Sequence, residues 1–391
     1  MKQRLSIYLI IVSVCFILGS CSRDDMNEQA EPTKMGNDAQ KAVDVFMKYR
    51  AELNNMLSRS ENEVTILDVV EMDIPVTLDN TNENSLSRSA NTDQVKLHRI
   101  SFSSMGKSGF SIVSADERVR STFMYCEEGS IEDTAYIDPV AQYIKLIPYL
   151  CEDDVQAYYS GEVNAEESLS RATQPTIYLP IKTKWSQEYP YNSQLAKIEC
   201  GGEQVYPRVG CTGIAVAQAV VYLAKDNTWW YPMAAMREVE RCEIYPWGEY
   251  NDAIAYFINN ITLFVTRDCD AGSAQLDDAF YHLSFFGFSE DKDYIFKKTN
   301  SLDKSKFYTS LQRNCPTLMS GDNGKDAHTW MLHGQRYNGS TREIYCNYGW
   351  GGYCDGWYSD WQRPKNSAGE QPFSGSFYRN NRYMYFLTNQ N

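Results

Sequence analysis

The stretch YPRVGCTGIAVAQAV, Tyr206 to Val220, constrains the fold of this chain more than any other. Its second half carries small residues at helical spacing, and Ile214 to Leu223 reads as a helix. Ala215 and Ala219 lie four apart on one face, which lets a neighbouring sheet or helix approach closely. Gly210 allows a tight backbone turn, so Cys211 falls at or beside the helix N-terminus. Peptide dipoles there favour an anion, and that environment lowers a thiol pKa. Two roles are open to Cys211 on these grounds: a small buried hydrophobe in a close-packed helix, or a thiolate nucleophile.

A thiol nucleophile needs a base, and the base needs an orienting group. The stretch PTLMSGDNGKDAHTWMLHGQRYNG, Pro316 to Gly339, offers two histidines. HTWMLHG alternates as a strand does, so His328, Trp330 and Leu332 share one face and Thr329, Met331 and His333 the other. Only one histidine can then face a given cleft. His328 follows a Gly/Asp-rich turn, where the backbone can leave room for a substrate. In REIYCNYGWGGYCDGWYSDW, Arg342 to Trp361, a strand run leads to Asn347 and then to a glycine–tryptophan loop. Asn347 would accept the imidazole N–H and fix its tautomer, and Trp350 would shield that bond from water; a packed hairpin is the other reading of such a loop. The order Cys, His, Asn is that of papain-like proteases, whose His and Asn lie ~130–150 residues beyond the cysteine. Here the intervals are 117 (328 − 211) and 136 (347 − 211), so the asparagine fits that span and the histidine falls short of it.

The N-terminus, MKQRLSIYLIIVSVCFILGSCSRDD, has a charged start, an apolar run from Leu5 to Leu18 and small residues before a cysteine, the layout of an export signal. That run is shorter than the ~20 residues of a spanning helix. LGSC resembles a bacterial lipobox, which predicts cleavage before Cys21 and lipidation of that cysteine; an ordinary signal peptide or short anchor is the alternative. Of 11 cysteines, nine remain after Cys15 and Cys21 are set aside, and eight if Cys211 stays free, so pairing is arithmetically open in an exported protein. Their spacing lacks the C-x-x-C of a zinc site and histidines number only 4, so no metal is expected. A net charge of −14, without a basic run beyond the first residues, argues against nucleic acid as a partner.

DAQKAVDVFMKYRAELNNML reads as an amphipathic helix, and NTNENSLSRSANTD, Asn80 to Asp93, as a loop. KLHRISF, GFSIVSADER and STFMYCEEGS read as short strands, and DPVAQYIKLIPYLCEDDVQAYY as helix broken or kinked at Pro148. These form a small α+β unit ending near Tyr159. The acidic, polar SGEVNAEESLSRATQP, Ser160 to Pro175, reads as a protease-accessible linker, after which aromatic density rises.

Four motifs, in order, resemble those of the streptopain family of bacterial secreted cysteine peptidases: KWSQEYPYN at Lys184–Asn192, VGCTGIAVAQAV, CPTLMSGDNGKDAHTWMLHG and NYGWGGYCDGWY. ISFSSMGKSGFSIVSADERVRSTFMYCEEGSIED is similar to the propeptide of that family. The resemblance implies a papain-like α+β catalytic domain preceded by a small α+β prodomain that blocks the cleft. The implied layout is a lipoprotein signal over 1–20, a tether over 21–37, an inhibitory propeptide over 38–160, an activation linker over 161–175 and the catalytic domain over 176–391. It implies Cys211 as nucleophile, His328 as general base and acid, Gln187 as an oxyanion-hole donor with the Cys211 N–H, Asn347 and Trp350 as the supporting loop, and Gly321 and Ala327 near the substrate cleft. It further implies protein or peptide substrates with a hydrophobic side chain two residues before the scissile bond, the propeptide as inhibitor, and no cofactor. Three positions depart from the family pattern: Tyr348 stands where tryptophan is usual, Ala327 where glycine is common and His333 where aspartate is common. With the lipid anchor at Cys21, the expected location is the bacterial envelope, as an outer-membrane lipoprotein in the periplasm or on the cell surface, or released after processing. Two other functions are open: an inactive surface lipoprotein that inhibits or binds, and a thiol amidase acting on cell-wall peptides.

Overall fold

The three-and-four spacing after Asn37 folds as the sequence predicts. In the computed structural model, α1 (Asn37–Met56) turns Ala42, Phe46, Tyr49 and Leu53 into the core. The structure describes residues 36–60, 63–78, 91–132, 138–161, 175–226, 230–269, 271–290, 292–299, 301–322, 327–361 and 381–387. The expected signal, Cys21, all but the end of the tether, and residues 162–174 of the expected activation linker lie outside the described residues. No helix among the described residues is long and apolar enough to cross a membrane.

Four strands follow, each antiparallel to the next: β1 (Val64–Leu78), β2 (Asn91–Ser104), β3 (Lys107–Val113) and β4 (Thr122–Cys126). The three strand-like runs fall in β2, β3 and β4, and β2 takes in Asn91–Asp93 from the end of the expected loop. No strand was expected at β1, because Asp68, Glu71, Asp73 and Pro75 interrupt its apolar alternation. Those residues suit its place: β1 ends the sheet, and charge and proline are tolerated on an edge strand. α2 (Asp138–Ser160) then runs as one helix through Pro148.

Beyond the linker come β5 (Ile177–Tyr178), the hairpin β6 (Ile198–Cys200) and β7 (Glu203–Val205), α3 (Cys211–Leu223), α4 (Met233–Glu238) and α5 (Asn251–Ile261). A two-stranded ribbon of β8 (Thr266–Arg267) and β9 (Gly272–Ser273) precedes α6 (Leu276–Leu283), β10 (Tyr294–Lys298) and α7 (Lys304–Gln312). The remaining strands are β11 (Thr317–Asp322), β12 (Ala327–Asn338), β13 (Thr341–Asn347), β14 (Gly356–Ser359) and β15 (Arg382–Phe386). This is the α+β class expected.

One sheet carries both halves of the chain, in the order β1-β2-β3-β4-β14-β13-β12-β11-β15-β10, with β5 on β12. The joint is β4 on β14, where Met124, Tyr125 and Cys126 oppose Tyr358, Trp357 and Gly356. Phe46 and Tyr49 of α1 pack with Phe102 and Tyr125, in a cluster that also holds Tyr345 and Trp357. A larger cluster joins α2 and α3 to β11 and β12. Every residue of α3 from Thr212 to Val221 is buried, which the small side chains of the motif permit.

Candidate active site

Gly210 enters α3 at φ +92°, and a Cβ added there would stand 2.8 Å from the Gly272 carbonyl oxygen, so glycine alone fits. Cys211 is therefore the first residue of α3, half-buried. The Thr212 hydroxyl bonds the Thr329 hydroxyl at 2.8 Å and donates to the Ala274 carbonyl at 2.9 Å, tying that first turn to β12. β12 brings His328 to the sulfur, and the two side chains share a hydrogen bond. Burial alone would push the Cys211 thiol up. The charge and hydrogen bond of His328, with the Thr329 N–H and the Thr212 side chain, outweigh it and lower the thiol to about 7.

The imidazole has a fixed tautomer. His328 Nε2 lies 3.0 Å from the Tyr348 backbone carbonyl, which can only accept, so Nε2 carries the hydrogen and Nδ1 is left to exchange a proton with Cys211. This corrects the expected role of Asn347. Its amide does not hold the imidazole: Asn347 Nδ2 donates to the Thr183 carbonyl at 2.9 Å, and Asn347 Oδ1 accepts from Gln218 Nε2 at 3.2 Å and from the Gly349 N–H at 3.1 Å. The reason is geometric. The buried amide of Gln218 on α3 faces β13 and captures Asn347, and the chain presents its next carbonyl to the histidine. Gln218 also accepts from the Trp185 N–H at 3.1 Å, so one α3 side chain joins the two segments that frame Cys211. Gln218 was missed as a site residue, although its place in the "AQ" of the nucleophile motif was a signal.

Trp350 and Trp330 both lie nearly parallel to the His328 ring, each with centroids 6.1 Å away, so Trp350 flanks the imidazole as expected. Tyr348, in the usual place of tryptophan, sits 6.3 Å from it, and its hydroxyl finds partners in Cys346 and Tyr358. Gly321 is the direct cross-strand neighbour of His328, and Ala327 precedes it, exposed. Gln187 is buried, and its carbonyl accepts from the Val209 N–H at 3.0 Å, next to the turn into Cys211. His333 lies apart from the dyad, beside Tyr178 and Tyr345 with Nδ1 3.3 Å from the Leu179 carbonyl; burial lowers it to about 3. Among the described cysteines, Cys200 and Cys269 form a disulfide and the other seven are thiols.

A neutral-range thiol hydrogen-bonded to an imidazole of fixed tautomer, on an α+β frame, defines a cysteine-type peptidase. Residues 185–358 match the model of the Peptidase C10 family, the streptopain family that the motifs resemble. Among solved structures the chain is similar to a prointerpain A fragment of Prevotella intermedia, a cysteine-to-alanine mutant. The TM-score is 0.50 at 16% identity, over 80% of this chain and 98% of that one. It is also similar to active wild-type interpain A cysteine protease of the same organism, with a TM-score of 0.40 at 19% identity, over 54% of this chain and 94% of that one. No curated protein matches. The first likeness bears on the fold, and it spans both halves of the shared sheet.

Proposed function

We propose that the chain is the zymogen of an exported, lipid-anchored endopeptidase, with residues 38–160 as inhibitory prodomain, 161–175 as activation linker and 176–391 as catalytic domain. The Cys211 thiolate attacks a peptide carbonyl, His328 protonates the leaving amine, and water then hydrolyses the acyl-enzyme. The Cys211 N–H and the Gln187 side chain donate to the developing oxyanion, where each such donor typically contributes ~3 kcal/mol. Asn347 and Trp350 support the histidine, and Gly321 and Ala327 border the peptide. Cys21 carries the lipid and holds the protein at the bacterial outer membrane.

One observation carries this reading: the Cys211 thiol is lowered to about 7 by an imidazole whose other nitrogen is already bound. The same observation speaks against an inactive descendant. The family departure at Tyr348 changes a side chain, whereas the histidine uses the backbone carbonyl of that residue. The test is hydrolysis of casein beside purified peptidoglycan by processed protein. Cys211→Ala should lower casein hydrolysis by at least ~10⁴-fold. Casein cleavage that survives that substitution sinks the assignment, and release of cell-wall peptides in place of casein fragments would favour the amidase.

A further inference from the structure

We propose that Asp355 is the positioning residue of this site: its carboxylate grips the backbone of Tyr348 and so sets the carbonyl that holds His328. The inference rests on the peptidase reading above. Asp355 is 3% exposed, and its Oδ1 accepts from the Tyr348 N–H at 2.8 Å. The carbonyl of the same residue meets His328 Nε2 at 3.0 Å. Two hydrogen bonds on one residue thus link a buried carboxylate to the catalytic imidazole.

The loop is built to hold that link. The Asp355 N–H donates to the Gly352 carbonyl at 3.2 Å, which folds the loop back so that its carboxylate reaches Tyr348. Asn347 takes the next amide, Gly349 N–H, so the backbone of Tyr348 is held at both flanking peptide groups. Gly349 has φ +73°, and a Cβ there would stand 2.9 Å from Ile214 Cγ2, so the loop lies directly on α3. Asn347 therefore fixes the loop to the helix, while Asp355 fixes the orientation of the residue that touches His328.

The burial of Asp355 has no stabilising explanation. Its Oδ2 has no hydrogen-bond partner among the described residues, and it forms no ion pair there. The cations that face it are engaged elsewhere: Lys184 with Glu240 at 3.0 Å, and Arg241 with Glu128 and, at 2.6 Å, the Gly351 carbonyl. Glu128 faces it with like charge, and Tyr178, Tyr345 and Cys346 are its other titratable neighbours. Burial raises the carboxyl to about 7. A buried carboxylate left half-satisfied costs stability, and such groups concentrate where function needs them.

The test follows Cys211 alkylation by iodoacetamide against pH in the full chain, read by peptide mapping, together with kcat and KM of processed protein on a peptide substrate. Displacing a reacting group by ~1 Å can cost ~10²-fold in rate. Asp355→Ala should therefore lower kcat by about that factor, with KM within ~3-fold. Its alkylation midpoint should move up from about 7 towards the ordinary thiol value of 9.0. Asp355→Asn keeps an acceptor for the Tyr348 N–H and should restore most of both. A folded Asp355→Ala protein with wild-type kcat and midpoint overturns the proposal, as does Asp355→Asn losing as much as Asp355→Ala. If Asp355→Ala does not fold, Asp355→Asn decides: near-wild-type kcat and midpoint support the hydrogen bond, and a large loss overturns it. A wild-type protein without hydrolysis or a lowered midpoint would instead undo the peptidase reading, a different failure.

Discussion

His328 and His333 stand on one strand five residues apart, yet their environments oppose each other. His328 is held by a carbonyl on one side and a thiol on the other. His333 is buried among aromatic rings and stays neutral down to about 3. Unfolded, it would take a proton near its ordinary value of 6.5, so between 6.5 and 3 the unfolded chain binds a proton that the fold refuses. Stability therefore falls as the solution is acidified through that window, by ~1.4 kcal/mol per pH unit. His333→Phe should remove this share: from pH 6.5 to 5, urea unfolding of the wild type should lose ~2 kcal/mol more than that of the variant. Asp355 carries the opposite sign. Its folded value of about 7 exceeds the ordinary 3.8, so the fold binds the extra proton and stability falls as pH rises through that interval. Asp355→Asn should accordingly melt higher than wild type at pH 8 and show little gain at pH 4. A wild-type melting temperature matched by the variant at both values would contradict the burial of that carboxyl.

At the scale of elements, α3 and β12 were legible because their signals are local. Small residues at helical spacing follow a glycine, and strict alternation passes through the histidine. β1 was hidden because an edge strand need not alternate cleanly. The orienting group was hidden for another reason: a backbone carbonyl has no residue type, so no sequence pattern could place Tyr348 in that role. Asn347 stood next to it and drew the assignment by analogy. The entry to α3 makes the strongest prediction at this scale. Gly210→Ala forces a side chain into φ +92° and against the Gly272 carbonyl. It should cost ~2 kcal/mol or more and raise the Cys211 alkylation midpoint together. Full reactivity in that variant would mean that the turn does not set the sulfur.

Across the whole molecule, the sequence suggested a break near residues 160–175, and the structure runs one sheet through both flanking parts. Partners on the two sides of that joint, such as Cys126 and Gly356, lie 230 residues apart, a pairing no local pattern encodes. Side chains reinforce it. Arg120 binds Asp154 within the first part and reaches the Ser359 hydroxyl at 3.1 Å in the second. Tyr49 donates to Glu343 at 2.8 Å and lies under the Arg336 guanidinium, which pairs with the same carboxylate. Tyr49→Phe should therefore lower the stability of the full chain by ~1 kcal/mol, and by less in a Glu343→Gln background. Equal losses in both backgrounds would argue against a bond across the joint.

The distribution of sulfur chemistry has a practical outcome. Burial pushes Cys151, Cys242 and Cys315 up to about 12, while Cys211 is drawn down to the neutral range. An electrophile at pH 7 thus prefers Cys211 to those three in a correctly assembled molecule and reaches them once packing is lost. The ratio of adducts at residue 211 to adducts elsewhere becomes a quality gauge for any preparation, readable without a substrate.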